Sequence, residues 1–523
     1  MLFNSLSFAI FLPLAFGLYW LIGGCGHAGR VTLPCRDGHA GRVTLPWRSF
    51  HLWHPFHLQN LFIVAASYVF YGWWDWKFLL LITFTSLWAW GSGLAIARLA
   101  DTPQGYRGVR WVVALALVVN LGILGVFKYY NFFLDNAVAL LNALGFAAHP
   151  SSLQIILPVG ISFYTFQALS YVLDVARGTV KPTKDLVAFL AYVSFFPLLV
   201  AGPIERATNL LPQFLKARRF DYGLATHGIC LFCYGLFKKM VVADTLALYV
   251  DKVFAMPALY SSVTCLIGAV FFALQIYCDF SGYSDCARGI AMGFGFKPML
   301  NFDRPYLSTS FAEFWRRWHI SLSTWFKDYV YIPLGGSRVP LVKILRNTWI
   351  VFLLSGLWHG ASWTFVCWGA LHAAFLSLGI LRRRLFAQTQ PPPSCPVRRP
   401  SSPSCPVRTA QAVRWLQRLF VFVGVCFAWI FFRAKTFGEL AEYLKSLFAL
   451  TPPTSLMQLC AGTGPVTFVF CWAVVGLLAL SYLAPRDCAF KGVRGRVAFS
   501  LACLFAIVFF GCPSGGEFIY FQF

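Results

Sequence analysis

The chain has 523 residues, of which 58% are hydrophobic, 18% aromatic and only 12% charged, whereas soluble domains carry about a quarter charged side chains. That composition excludes an ordinary soluble enzyme and describes an integral membrane protein. The formal net charge of +24 does not indicate a nucleic-acid partner, because the basic residues are dispersed between hydrophobic segments and no nucleic-acid module is present.

Apolar stretches begin near Leu6, Leu61, Phe78, Trp111, Leu153, Leu186, Ile229, Val263, Asn347, Ser362, Trp415, Val466 and Val497. None alternates as a membrane β-strand does, so the fold class is all-α and polytopic. Roughly 10–13 transmembrane helices are expected, accompanied by re-entrant and interfacial helices. Residues 1–8 lack basic side chains and Pro13 interrupts the first apolar stretch, so this segment reads as retained rather than as a secretory signal. The basic loops at residues 30–48, 98–110, 382–418 and 486–496 belong on the cytoplasmic side, with the N-terminus outside.

Residues 1–523 form a single membrane domain in this reading, and two segments look inserted. Gly26-His-Ala-Gly-Arg-Val-Thr-Leu-Pro34 recurs at residues 38–46, and Pro393-Ser-Cys-Pro-Val-Arg398 recurs at residues 403–408. Two copies are too few for a solenoid, so residues 24–59 and 386–412 read as basic, repeat-containing cytoplasmic loops. The second suits contact with anionic membrane lipid. His51, His54 and His57 could chelate zinc, but Pro55 breaks the helix needed to align them and no carboxylate accompanies them, so no metal site is assigned. The sixteen cysteines sit mostly in apolar segments as small hydrophobes, and the pair Cys230 and Cys233 reads as helix packing.

Chemistry concentrates between residues 275 and 363. Trp315, Trp318, Leu322 and Trp325 follow one another at helical spacings of three and four, as in an interfacial amphipathic helix with an aromatic belt. His319 lies within that run. His359 lies in Ser355-Gly-Leu-Trp-His-Gly-Ala-Ser-Trp363, an imidazole among apolar and small residues. A histidine at bilayer depth is costly and marks either a hydrogen-bonded structural position or a functional one. In the functional case a neutral imidazole removes a proton from a hydroxyl as that oxygen attacks an acyl carbon. Gly356 and Gly360 would leave room for substrate, and Trp358 and Trp363 would wall the site. His372, thirteen residues on, falls on a different helical face and is not paired with His359. The chain lacks H-E-x-x-H, a P-loop, a dinucleotide-binding glycine fingerprint and a G-x-S-x-G elbow, which leaves metalloprotease, nucleotide-driven, hydride-transfer and serine-nucleophile chemistry without their minimal parts.

Several motifs in order carry a resemblance: Met1-Leu-Phe-Asn-Ser5, Pro158-Val-Gly-Ile-Ser-Phe-Tyr-Thr-Phe166, Gly202-Pro-Ile-Glu-Arg206, Gln275-Ile-Tyr-Cys-Asp-Phe-Ser-Gly-Tyr-Ser-Asp285, the run from Trp315 through Gly336, Gly356-Leu-Trp-His-Gly360 and Phe518-Ile-Tyr-Phe-Gln-Phe523. Together they resemble the membrane-bound O-acyltransferase (MBOAT) family, in particular its bacterial alginate O-acetylase branch. The resemblance implies the MBOAT fold, a multi-pass position in the bacterial inner membrane, and O-acetylation of an exopolysaccharide such as alginate. It makes His359 the central catalytic histidine and His319 the second polar position, with Trp358, Arg316 and Asp328 supporting the site or its channel. It implies acetyl-coenzyme A as acyl donor, no tightly bound cofactor, and an extracytoplasmic SGNH-like acetyltransferase as partner. Within the family, D-alanyl or peptidoglycan acyl transfer is the alternative. Outside it the rival is a lipid-linked sugar transporter or flippase, for which no inverted repeat speaks.

Overall fold

A backbone inside a bilayer must satisfy its own polar groups, and this chain does so with helices. The computed structural model describes residues 1, 3–25, 55–102, 105–149, 155–200, 202–388, 407–512 and 518–519, and no strand occurs among them. Eight described helices are long and apolar enough to cross a membrane: Leu6–Cys25, Phe78–Ala100, Gly105–Ala143, Ser262–Gly293, Leu341–His359, Trp363–Gln388, Val407–Arg433 and Val493–Phe510. Of the other apolar stretches among the described residues, Pro55–Gly72 has 18 residues, Pro465–Ser481 has 17, and Tyr222–Leu236 continues through a π-helical turn, Phe237–Ala243, into Asp244–Ala255. The stretch expected from about residue 153 becomes helical only at Ile161, after Gly160 turns the chain at φ 75°. The stretch near Leu186 divides into Leu186–Ser194 and Phe196–Leu199, because Pro197 has no N–H with which to continue the ladder.

The inserted loops at residues 24–59 and 386–412 fall mostly on residues 26–54 and 389–406, outside the described residues, as do their repeats and His51 and His54. His57 is described, and its Nδ1 lies 3.2 Å from Asp185. Asp185 also caps the Leu186–Ser194 helix by accepting from the Ala188 amide, which satisfies one of the donors a helix start leaves open. Most of the described cysteines are buried, Cys230 and Cys233 among them.

The centre of the fold is a close antiparallel pair, Tyr222–Leu236 against Ser262–Gly293. Its closeness is written in four glycines at seven-residue spacing. A Cβ on Gly228 would lie 2.4 Å from the Gly289 carbonyl, and one on Gly289 would lie 2.5 Å from the Gly228 carbonyl. Two turns away, Gly235 and Gly282 repeat the arrangement, at 2.5 Å and 2.8 Å from each other's carbonyl oxygens. Small residues are how membrane helices gain packing where no hydrophobic drive separates protein from lipid. The buried charges follow directly after this seam. Lys238 pairs with Asp285 at 2.5 Å, and Lys239 pairs with Asp279 at 2.5 Å and Asp244 at 2.8 Å. Arg288 grips Asp487 through two hydrogen bonds, at 2.6 Å and 3.1 Å. Buried charges are costly, and in these cases each is offset by a partner of opposite sign.

The helix Gly105–Ala143 has 39 residues. At about 1.5 Å per residue it measures about 58 Å, nearly twice a hydrocarbon core of about 30 Å. It therefore passes well beyond one membrane face, and it packs against Phe78–Ala100 and Ile161–Ala176.

Candidate active site

Ser310 caps the helix Phe311–Arg317 by accepting from the Glu313 amide at 3.1 Å, and Glu313 reaches back to the Thr309 amide at 2.8 Å. This reciprocal arrangement fixes where the helix starts. It does not continue through residue 325 as helical spacing suggests. Trp318 leaves the helical region, and His319 adopts a left-handed conformation at φ 43°, ψ 56°, before a second short helix, Ile320–Phe326. A non-glycine residue held there carries strain of about 1–3 kcal/mol, of the kind that clusters at functional sites. Asn301 over-determines it: its carbonyl accepts from the Ile320 amide at 2.9 Å, and its side-chain oxygen lies 3.1 Å from His319 Nδ1 and 2.9 Å from Ser321 Oγ. The aromatic residues are not an interfacial belt either. Trp315, Trp318, Leu322 and Trp325 are all buried, and Trp325 stacks on Phe166 at 3.9 Å while donating to its carbonyl.

The consequence of the break is the aim of His319. Its ring is fully buried, edge-on to Phe280 at 4.7 Å and 6.0 Å from the indole of Trp358. Its Nε2 has no hydrogen-bond partner among the described residues. Trp358 in turn meets the ring of His359 at 5.0 Å, so the two imidazoles flank one indole. His359 is the last residue of Leu341–His359, where Gly360 turns the chain into an extended conformation. Edges of Trp358, Trp368 and Phe432 surround its ring, with centroids at 5.0, 5.0 and 5.3 Å.

That turn also corrects the placing of His372. His359 and His372 lie on successive helices, not one, so their angular separation along a single helix is irrelevant. Trp368 contacts both, at 5.0 and 4.9 Å. His372 Nδ1 accepts a hydrogen bond from the Trp315 indole at 3.2 Å, making a third buried imidazole in the same aromatic cluster. Two further expectations change. Gly356 and Gly360 do not hold space open for substrate: a Cβ at Gly356 would meet the Phe365 carbonyl at 2.3 Å, and one at Gly360 the Phe365 ring at 2.2 Å. They let two helices touch. Trp363 does not wall the site, being half-exposed and hydrogen-bonded to Asn136 at 2.9 Å.

A cavity of about 840 Å³, the size of a pocket for a cofactor-sized ligand, reaches this cluster at one ring, that of Trp315. Arg316, Lys327, Arg383 and Arg384 lie along it, Ile320, Val351, Phe352 and Leu376 make its apolar walls, and Ser355 and Trp315 stand near His359 and His372. Ser355 is one helical turn before His359, so the lining ends a turn short of that imidazole. Cations with an apolar throat suit an amphiphilic anion. Asp328 lies outside the cavity lining: its carboxylate meets Arg206 at 3.4 Å, and its carbonyl accepts from Arg177 at 3.1 Å.

Comparison with known proteins decides the family. Residues 181–432 match the MBOAT, membrane-bound O-acyltransferase family. A probable alginate O-acetylase of Azotobacter vinelandii is 38% identical over 450 residues, covering 86% of this chain and 78% of that protein. The corresponding protein of Pseudomonas aeruginosa is 37% identical over 437 residues, covering 83% and 76%. A peptidoglycan O-acetyltransferase of Helicobacter pylori is 35% identical over 420 residues, covering 75% and 74%. The chain belongs to the MBOAT family. This MBOAT protein is accordingly an acyltransferase and a multi-pass membrane protein.

Of the residues singled out in the sequence, His359, His319 and Trp358 come together, Arg316 lies on the cavity and Asp328 stands apart. Sequence reasoning missed Trp368, Phe432, Asn301 and His372 as neighbours of the MBOAT site, and it missed Lys128. An unbroken apolar stretch containing one lysine carried the signal for that last residue.

Proposed function

We propose that this MBOAT protein passes an acetyl group from cytosolic acetyl-coenzyme A across the bacterial inner membrane for O-acetylation of an exopolysaccharide such as alginate. The reading rests on one observation above all: His359 stands at the end of its helix remote from Arg383 and Arg384, one turn past Ser355 on the cavity wall. Arg383 and Arg384 belong to the basic stretch at residues 382–418, which the positive-inside rule assigns to the cytosol. A donor with phosphates at that mouth would direct its thioester inward, past Trp315 and Ser355, while the bulky anionic part never enters lipid.

In this reading His359 accepts the proton of an acceptor hydroxyl as its oxygen attacks the thioester carbonyl. The tetrahedral intermediate collapses by breaking the C–S bond, and the thiolate leaves with the proton returned by the imidazolium. Ester and free thiol are the products. His319, whose Nε2 is unpartnered, orients the acceptor across Trp358. Arg316 contributes charge at the cavity, and Asp328 supports the nearby chain through Arg206 and Arg177. An aromatic enclosure that excludes water limits hydrolysis of the thioester. Where the hydroxyl acylated here is not that of the polysaccharide itself, an extracytoplasmic SGNH-like acetyltransferase exchanges the new ester for one on a sugar hydroxyl, releasing the first hydroxyl again.

The test is thiol release from acetyl-coenzyme A by the full chain in proteoliposomes, with acceptor present. Under general-base and orienting roles, His319→Ala lowers the rate by at least about tenfold without changing protein level. Wild-type rates in that variant would make His319 structural. A transporter would release no thiol. A second acceptor, peptidoglycan, is favoured by the Helicobacter pylori relative, whose 35% identity is close to that of the alginate acetylases, and the same assay run with each acceptor separates the two.

A further inference from the structure

The last carbonyls of a helix have no partners within it, and where a helix end is buried in protein water is not at hand to supply them. Leu341–His359 ends in this situation, with Trp358, His359 and Gly360 buried, at the residue the proposed function depends on. The carbonyls of Leu357, Trp358 and His359 are all met from one neighbouring helix, Gly105–Ala143. Tyr129 donates its hydroxyl to Leu357 at 2.7 Å, and the Lys128 amino group donates to Trp358 and, at 3.2 Å, to His359. The same helix continues over the bend: Phe132 packs on Trp363 at 5.7 Å, and Asn136 accepts from the Trp363 indole. Lys128, Phe132 and Asn136 recur every four residues and so share a face. They form a strap across residues 357–363.

Lys128 is the unusual member. Its nitrogen also lies 5.7 Å from the centroid of the Trp358 ring, and its hydrogen bonds go to backbone oxygens, with no carboxylate paired to it among the described residues. A lysine in an apolar span is costly and is retained for a reason. A packing role alone is met by any apolar side chain of similar length, whereas a donor that reaches two successive carbonyls sets the rotation of the final helical turn, and with it the direction in which the His359 side chain leaves the backbone.

We propose that Lys128 is a positioning residue for acyl transfer, which orients the His359 imidazole by holding the terminal carbonyls of its helix. This inference rests on the reading of His359 as the general base. It assigns Lys128 no contact with the donor, whose cavity is lined by other residues. Its signature is therefore in turnover and not in donor affinity.

The experiment measures kcat and the KM for acetyl-coenzyme A of the full chain in proteoliposomes, for wild type, Lys128→Met, Lys128→Arg and His359→Ala. Misplacing a catalytic group by about 1 Å costs up to about a hundredfold. Lys128→Met is expected to lower kcat on the order of tenfold to a hundredfold with KM within about twofold of wild type, and Lys128→Arg, which keeps a cationic donor, to recover most of the loss. A wild-type kcat in the Met variant, a loss that appears in KM, or an Arg variant no better than Met would overturn the proposal. If the Met variant does not accumulate in the membrane, Lys128→Gln, whose shorter, uncharged side chain cannot reach both carbonyls, takes its place and is judged against Lys128→Arg by the same criteria. Should His359→Ala keep full activity, the reading beneath the proposal fails. Should it be inactive while Lys128→Met is fully active, only the role of Lys128 fails.

Discussion

His359→Ala is expected to lower acyl transfer by about 10²- to 10⁴-fold, the contribution of a positioned general base, while leaving the protein in the membrane at its normal level. The imidazole ring packs against those of Trp358, Trp368 and Phe432. Truncation removes that contact and leaves a small apolar space, which lowers stability by far less than the loss of a helix–helix seam. The two effects separate in measurement. Thiol release reports the chemistry, and thermal unfolding in detergent reports the packing. Near-normal release in a folded variant would return His359 to the rank of a structural histidine.

The opposite pattern is expected at the glycine seam. Gly235→Ala places a Cβ 2.5 Å from the Gly282 carbonyl and 2.7 Å from the Cys286 amide, contacts that only backbone movement relieves. Overpacking of this kind costs about 1–3 kcal/mol. The displaced helix also carries Lys238 and Lys239 immediately beyond the seam, so their pairs with Asp285, Asp279 and Asp244 are disturbed together. The variant should unfold at clearly lower temperature and accumulate poorly. Gly17→Ala is the control, since a Cβ there meets nothing within 4 Å and alanine is the better helix former. Equal melting temperatures for the two variants would show that the seam does not govern assembly.

The features that were legible in the sequence share a physical cause. Long apolar stretches yield helices because lipid leaves the backbone no alternative, and His359 stands out because an imidazole among small and apolar residues has few innocent explanations. Periodicity misled where backbone geometry departs from one regular helix. The spacing of Trp315, Trp318, Leu322 and Trp325 mimics an amphipathic helix, yet the chain breaks at Trp318 and His319, and the break is what turns His319 toward Trp358. Likewise Gly356 and Gly360 suggest space, but a glycine marks close approach of whatever lies opposite, here Phe365. Lys128 and His372 act across helices that no local pattern connects.

The most direct test of the central claim is an experimental structure of the full chain with acetyl-coenzyme A bound. The account predicts the phosphates beside Arg383 and Arg384, the pantetheine arm along Val351 and Phe352, and the thioester carbonyl beyond Ser355, within reach of a hydroxyl hydrogen-bonded to His359. A donor seated away from this cavity, or a thioester halted by Trp315 with the His359 ring still sealed, would contradict it.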